Sequence, residues 1–194
     1  MLVRGERCLF ANLGFSVSSG ELLVLEGRNG SGKTSLLKTI VGILEPDDGE
    51  LRWNGQPVRR HRQAFLASAA WLSHRTGLKP DLTAIENLRF ESALRPTRVR
   101  DLEEALERLG VLRLRKLPVR ALSAGQQRRV SLARMLLASA PLWLMDEPFT
   151  NLDREGRALV EELVCEHVGS GGLCIMAAHQ DVSIDVPTTR LRLQ

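Results

Sequence analysis

The stretch Leu22-Leu23-Val24-Leu25-Glu26-Gly27-Arg28-Asn29-Gly30-Ser31-Gly32-Lys33-Thr34 decides the fold. Its first part is a short apolar run after Gly20, which is how a strand buried on both faces of a parallel sheet reads. Gly27 to Thr34 then fit G-x-x-x-x-G-K-[ST] at every fixed position. Glycines at these places let the backbone wrap around a phosphate, and successive N–H groups make an anion-binding nest. Ser35–Val41 continues as a helix whose positive end faces that phosphate. In such a loop Lys33 reaches the β- and γ-oxygens of a nucleotide and the Thr34 hydroxyl binds Mg²⁺. The expected nucleotide contacts are Gly27, Arg28, Asn29, Gly30, Ser31, Gly32, Lys33 and Thr34. The bland alternative is a glycine-rich turn.

Working outward, Leu142–Met145 and Leu173–Ala178 are two further apolar strand candidates, and Trp71–Ser73 is a shorter one. Gly49–Trp53 followed by Asn54-Gly55 reads as a strand and turn at a sheet edge. Leu159–His167 reads as a helix. From Leu82 to Leu122 the pattern turns helical, with Leu102, Leu106 and Leu109 at three- and four-residue spacing. Strands alternating with helices predict an α/β domain with a mostly parallel sheet, into which a helical block is inserted. The expected division is a catalytic core over 1–75 and 134–194 and a helical subdomain over 76–133.

The second chemical element is Leu142-Trp143-Leu144-Met145-Asp146-Glu147-Pro148. Four apolar residues ending in a carboxylate put Asp146 at the C-terminal edge of a buried strand, where open α/β sheets bind ligands. Asp146 is expected to hold Mg²⁺ through water. Glu147 points differently and can accept the proton of an attacking water as general base. A pair of loop acids, one capping a helix, is the alternative.

The 194 residues argue for one domain, and 43% hydrophobic with 26% charged content excludes a disordered chain. The balance of 27 basic against 23 acidic residues gives +4, spread along the length, so a dedicated nucleic-acid tail is excluded and no nucleic-acid partner is expected. Apolar runs stop at a few residues, against about 20 needed to cross a bilayer. The opening MLVRGERCLF carries charges where a signal peptide needs its apolar stretch. Cys8, Cys165 and Cys174 are odd in number and widely spaced, and read as reduced packing residues of a cytosolic protein.

Leu122-Ser123-Ala124-Gly125-Gln126-Gln127-Arg128-Arg129 resembles the LSGGQ-type signature of ATP-binding cassette (ABC) ATPases, with Ala124 where the commonest form has glycine. Ser123 would cap the following helix. The resemblance implies that Ser123, Gly125 and Gln126 face the γ-phosphate of a nucleotide held by a second copy of the chain. Asn151-Leu152-Asp153 resembles the D-loop that crosses the dimer interface. His179 resembles the switch histidine that contacts the γ-phosphate, which implies a catalytic set of Glu147, His179 and Lys33 with ATP and Mg²⁺ as cofactors. The resemblance covers the whole chain and implies the P-loop NTPase fold.

Within that family the chain is most similar to the ATP-binding subunits of bacterial heme exporters in cytochrome c maturation. The similarity rests on GRNGSGKTSLL at 27–37, LSAGQQRRVSLARMLL at 122–137, DEPFTNLD at 146–153, and especially WLSHRTGLKPDLTAIENL at 71–88. Most ABC ATPases carry glutamine where His74 stands. This implies integral membrane subunits as partners, a periplasmic heme chaperone as an indirect one, and a place at the cytoplasmic face of the bacterial inner membrane. His74 is then expected to couple ATP state to the membrane subunits. The alternatives are the ATPase of another small ABC transporter, of lipoprotein or amino-acid type, and a soluble ABC switch protein. Two departures stand out. The chain has no tyrosine, so adenine stacking falls to Arg4 or Arg7, whose guanidinium planes can lie on a ring. The first strand also reads as clipped, with the true start upstream.

Overall fold

In the computed structural model, residues 1–4, 7–94, 102–138, 140–178 and 182–193 are described. Among the described residues the strands are β1 (Leu2–Arg4), β2 (Arg7–Phe10), β3 (Leu22–Glu26), β4 (Arg52–Trp53), β5 (Gln56–Pro57), β6 (Ala69–Leu72), β7 (Leu142–Asp146), β8 (Leu173–Ala177) and β9 (Thr188–Arg192). The α-helices among them are α1 (Lys33–Ile40), α2 (Arg62–Ala67), α3 (Ala84–Leu94), α4 (Leu102–Arg108), α5 (Ala124–Leu137) and α6 (Arg154–Gly169). Five strands form one sheet in the order β6-β7-β8-β3-β9, and every ladder in it is parallel. Among the described residues the antiparallel strand pairs are β1–β2 and β4–β5, and Thr83 and Pro118 form an isolated antiparallel bridge.

Side-chain alternation along the central strands fills two cores. Leu22, Val24, Trp143, Met145, Cys174 and Met176 face α3, α4, α5 and α6. Leu23, Leu25, Leu142, Leu144, Ile175 and Ala177 face α1 and α2. Burial on both faces is why these strands read as continuous apolar runs. No helix among the described residues is long and apolar enough to cross a membrane.

Some expectations shift. The helix expected from Ser35 starts at Lys33, because Gly32 at φ 97° turns the loop straight into it. The strand expected at Gly49–Trp53 is cut to β4 and pairs with β5, apart from the main sheet. Asn54 and Gly55, at φ 49° and 75°, supply the two left-handed residues of a tight hairpin. The helix α5 runs through residues 133 and 134, where the core and the helical block were divided.

Candidate functional site

The C-terminal ends of β3, β8 and β7 lie side by side, so the loops leaving β3 and β7 meet at one edge of the sheet. The loop after β3 is held by glycines at φ 146°, 79° and 97° for Gly27, Gly30 and Gly32. Gly27 has a second reason to lack a side chain, since a Cβ there would sit 2.5 Å from Ser31 Oγ and 2.6 Å from the Leu193 carbonyl oxygen. Helix α1 follows with no side-chain cap and no acidic residue in its first turn, so its positive end is left to the loop. Lys33 is 5% exposed. Its ammonium donates to the carbonyls of Gly27 at 2.7 Å and Arg28 at 3.2 Å. Arg28, Asn29 and Gly30 are exposed, and Ser31 is buried.

The Thr34 hydroxyl lies 3.0 Å from both carboxylate oxygens of Asp146. Asp146 is 1% exposed at the last position of β7. These are hard oxygen donors at the mouth of a phosphate loop, a set that fits Mg²⁺ with phosphate oxygens and waters as its remaining ligands. Among the described residues no cluster of three or more His, Cys, Asp or Glu forms a metal cage. Glu147 leaves the strand in a left-handed conformation, φ 52°, with its N–H donating to the Ala177 carbonyl at 2.9 Å. A non-glycine residue held there stores roughly 1–3 kcal/mol of strain. The turn aims Glu147 into a cleft of about 300 Å³ that it shares with Leu9, Asn29, Gly30, Lys33 and Thr34.

The signature residues lie elsewhere. Ser123 caps α5 with a full capping box: its hydroxyl accepts from Gln126 N at 3.2 Å, and Gln126 Oε1 accepts from Ser123 N at 2.9 Å. Gly125 sits so close to the loop after β7 that a Cβ on it would lie 2.7 Å from the Asn151 carbonyl oxygen. Arg129 donates to Asp153 at 3.0 Å, and Asp153 caps α6 by accepting from Gly156 N at 2.8 Å. The Gly156 amide first, and Arg129 second, hold the Asp153 carboxyl below the usual carboxylate range. Ser123, Gly125, Gln126, Asn151, Leu152 and Asp153 thus line one cleft of about 350 Å³. It shares no residue with the phosphate-loop cleft.

His74 is exposed in the loop between β6 and α3. That loop is anchored on both sides. The Thr76 carbonyl accepts from Ser131 Oγ at 3.2 Å and Arg134 Nη1 at 3.1 Å, both on α5. Buried Asn87 on α3 accepts from Lys79 N and donates to the carbonyls of Lys79, Leu82 and Thr83. His179 and the side chains of Arg4 and Arg7 lie outside the described residues.

Two residues at the site escaped the sequence reading. Leu9 of β2 lines the phosphate cleft, and its Cβ lies 3.5 Å from where a Cβ of Gly32 would stand. Arg128, the charge before Arg129, is 2% exposed rather than solvated. Its place three, four and seven residues before buried Ser131, Leu132 and Met135 was the available signal, because those spacings lie on one helix face.

Comparisons with known proteins identify the family and the fold. The ABC transporter family model matches residues 10–150. The chain is 44% identical to the cytochrome c biogenesis ATP-binding export protein CcmA of Vibrio cholerae, over 97% of this chain and 92% of that one. An ABC transporter ATP-binding protein of Pyrococcus furiosus superposes with a TM-score of 0.83 at 27% identity, covering 98% of this chain and 94% of that one. An ATP-binding cassette solved as a dimer with ADP and phosphate shares the fold, with a TM-score of 0.81 at 23% identity over 92% of this chain and 84% of that one. The chain belongs to the ABC transporter family, in the branch of the cytochrome c biogenesis ATP-binding export proteins.

Proposed function

We propose that this chain is the ATP-hydrolysing subunit of a membrane ABC complex that couples hydrolysis to heme export and to release of a heme-loaded chaperone in cytochrome c biogenesis. The observation that carries the enzymatic part is the convergence of Lys33, Thr34 and Glu147 on one cleft, with Asp146 bonded to Thr34 at its edge. The export part is supported by near full-length similarity to a protein named for that role.

In this reading the loop amides of Gly27 to Thr34 hold the β- and γ-phosphates. The Lys33 ammonium exchanges its two carbonyl partners for phosphate oxygens. Thr34 and Asp146 would hold Mg²⁺, which would neutralise charge on the phosphates. Glu147 accepts the proton of the attacking water as that water approaches the γ-phosphorus in line. His179 contacts the γ-phosphate. The nucleotide is closed over by Ser123, Gly125 and Gln126 of a second copy, with Asn151, Leu152 and Asp153 at the interface. Two separate clefts within one chain support closure in trans, because a symmetric dimer places each against its complement.

The core over 1–75 and 134–194 carries the catalysis, and the helical block over 76–133 carries the signature. His74 links ATP state to integral membrane subunits, which hold the chain at the cytoplasmic face of the inner membrane. The loop's anchors on α3 and α5 support that role, since a shift at one end moves the helical layer.

Complementation tests this. In a bacterium lacking its own export ATPase, the chain expressed with its cognate membrane subunits should restore c-type cytochromes, and Lys33→Ala should not. No restoration by the wild-type chain would overturn the export assignment.

A further inference from the structure

Arg128 is almost wholly enclosed, yet among the described residues its guanidinium forms no ion pair. It donates instead to four backbone carbonyls: Nε to Pro148 at 3.3 Å, Nη1 to Ser73 at 2.8 Å, and Nη2 to Asp146 at 2.9 Å and Glu147 at 2.6 Å. Three of these carbonyls are consecutive. Consecutive carbonyls in an extended strand point to opposite sides, so their convergence on one cation requires the chain to turn there. The turn is the one that gives Glu147 its φ of 52° and brings it to the phosphate cleft.

The fourth carbonyl belongs to Ser73, the residue before His74. One planar fork therefore joins the last turn of the β7 strand, the first residue of the His74 loop and the first turns of the signature helix. Burial pushes the Arg128 guanidinium down to about 10, against the opposing pull of Asp146 and Glu147. It stays charged at neutral pH and carries that desolvation cost. Only a donor with several N–H groups in a fixed fan satisfies four carbonyls at once.

We propose that Arg128 is a positioning residue for hydrolysis: it holds Glu147 in its left-handed turn over the phosphate cleft and ties that turn to the His74 loop. The proposal rests on Glu147 being the base. Arg128 itself touches no phosphate. Its effect is on the rate of the chemical step and not on nucleotide affinity.

The experiment compares wild type, Arg128→Lys, Arg128→Gln, Glu147→Gln and the Arg128→Lys/Glu147→Gln double variant, each purified with its membrane subunits. Steady-state hydrolysis, single-turnover phosphate release and binding of a fluorescent ATP analogue are measured, with a thermal melt for each. Lysine keeps the charge but presents it from a point. We expect Arg128→Lys to lower kcat by about 10–100-fold, with KM and analogue affinity within about threefold of wild type. Arg128→Gln should lose more. In the Glu147→Gln background Arg128→Lys should cost less than about twofold, since a misplaced base cannot hurt an enzyme that has none.

Several results would overturn the proposal. These are a kcat for Arg128→Lys within about twofold of wild type, a parallel loss of affinity, a multiplicative loss in the double variant, or failure of both Arg128 variants to fold, which makes the arginine a folding residue. Normal turnover in Glu147→Gln removes the base and this proposal together. Loss there beside an indifferent Arg128→Lys removes the proposal alone.

Discussion

Helices α1 and α5 both start next to a loop that the family resemblance assigns to the same phosphate, but their N-termini are built in opposite ways. At α1 the cap is Gly32 in a left-handed conformation, without any side-chain hydrogen bond, and three glycines bend the preceding backbone. At α5 the first turn is closed by its own residues, Ser123 and Gln126 bonding reciprocally. One end keeps its amide dipoles for a ligand. The other has already satisfied two of its donors, and what it offers is the Ser123 O–H, because that oxygen accepts from Gln126 while its own proton is still available to an anion. In the function proposed above, the first end holds a nucleotide by itself and the second recognises one that is already held.

That contrast breaks most directly at the α1 end. Lys33→Ala should lower turnover at least about 1000-fold, because the transition state is stabilised almost wholly by fixed charges and donors. Phosphate release from Mg-ATP is the measurement. Near wild-type turnover would mean that α1 does not hold the nucleotide and that the two ends have no division of labour.

Glu147→Gln sharpens it. The amide cannot take the water's proton, so hydrolysis should fall about 100-fold or more while ATP stays bound. Two nucleotides should then be trapped between two copies, and size-exclusion chromatography with Mg-ATP should show a dimer. A variant that saturates with ATP and remains monomeric beside its membrane subunits would place the signature cleft outside the reaction.

Gly125→Ala acts on the α5 end alone. Its Cβ would lie 2.7 Å from the Asn151 carbonyl oxygen, a backbone atom that cannot swing aside. The loop at Asn151 must move, and Asn151 itself already sits at φ 64°. Turnover should drop about tenfold, as expected for a misplacement outside the chemistry, while ATP binding by the isolated chain is unchanged. Equal loss of binding would show that the two clefts are not separate sites.

Much of this was legible in the sequence where burial is uniform. Leu22–Glu26, Leu142–Met145 and Leu173–Ala178 read as strands because both faces are covered, and the structure places β3, β7 and β8 there. The edge strand β9 was missed, as Thr188–Arg192 lies mostly exposed and carries polar side chains that no apolar pattern marks. The chain start reads as one clipped strand, and the pairing of β1 with β2 there has no apolar signal, while α2 is hidden by the basic run Arg59-Arg60-His61-Arg62. At the site, residue types with a fixed spacing stood out, while features set by tertiary contact did not. The left-handed turn at Glu147 and the enclosure of Arg128 depend on carbonyls from β7 and from Ser73, which no local pattern reports.

The smallest expected effect tests the D-loop side of the second cleft. Asp153 caps α6 and pairs with Arg129, and its carboxyl is held below the ordinary range mainly by the Gly156 amide. A carboxylate depressed in the folded state stabilises most where it is ionised in both states, above its unfolded value of about 3.9. That contribution is lost as pH falls through the lower folded value. Asn caps a helix about as well as Asp but has no charge to lose. Asp153→Asn should therefore melt slightly below wild type at neutral pH, and the gap should close as pH falls under about 3.9. It should also shrink with added salt at neutral pH, since the side chain is exposed and its pairing with Arg129 is screened. Turnover should change far less than in Gly125→Ala, because the loop backbone stays in place. A gap in melting temperature that is constant with pH would assign the Asp153 effect to shape and not to charge, and would leave Arg129 without an electrostatic part in holding the signature helix against the loop.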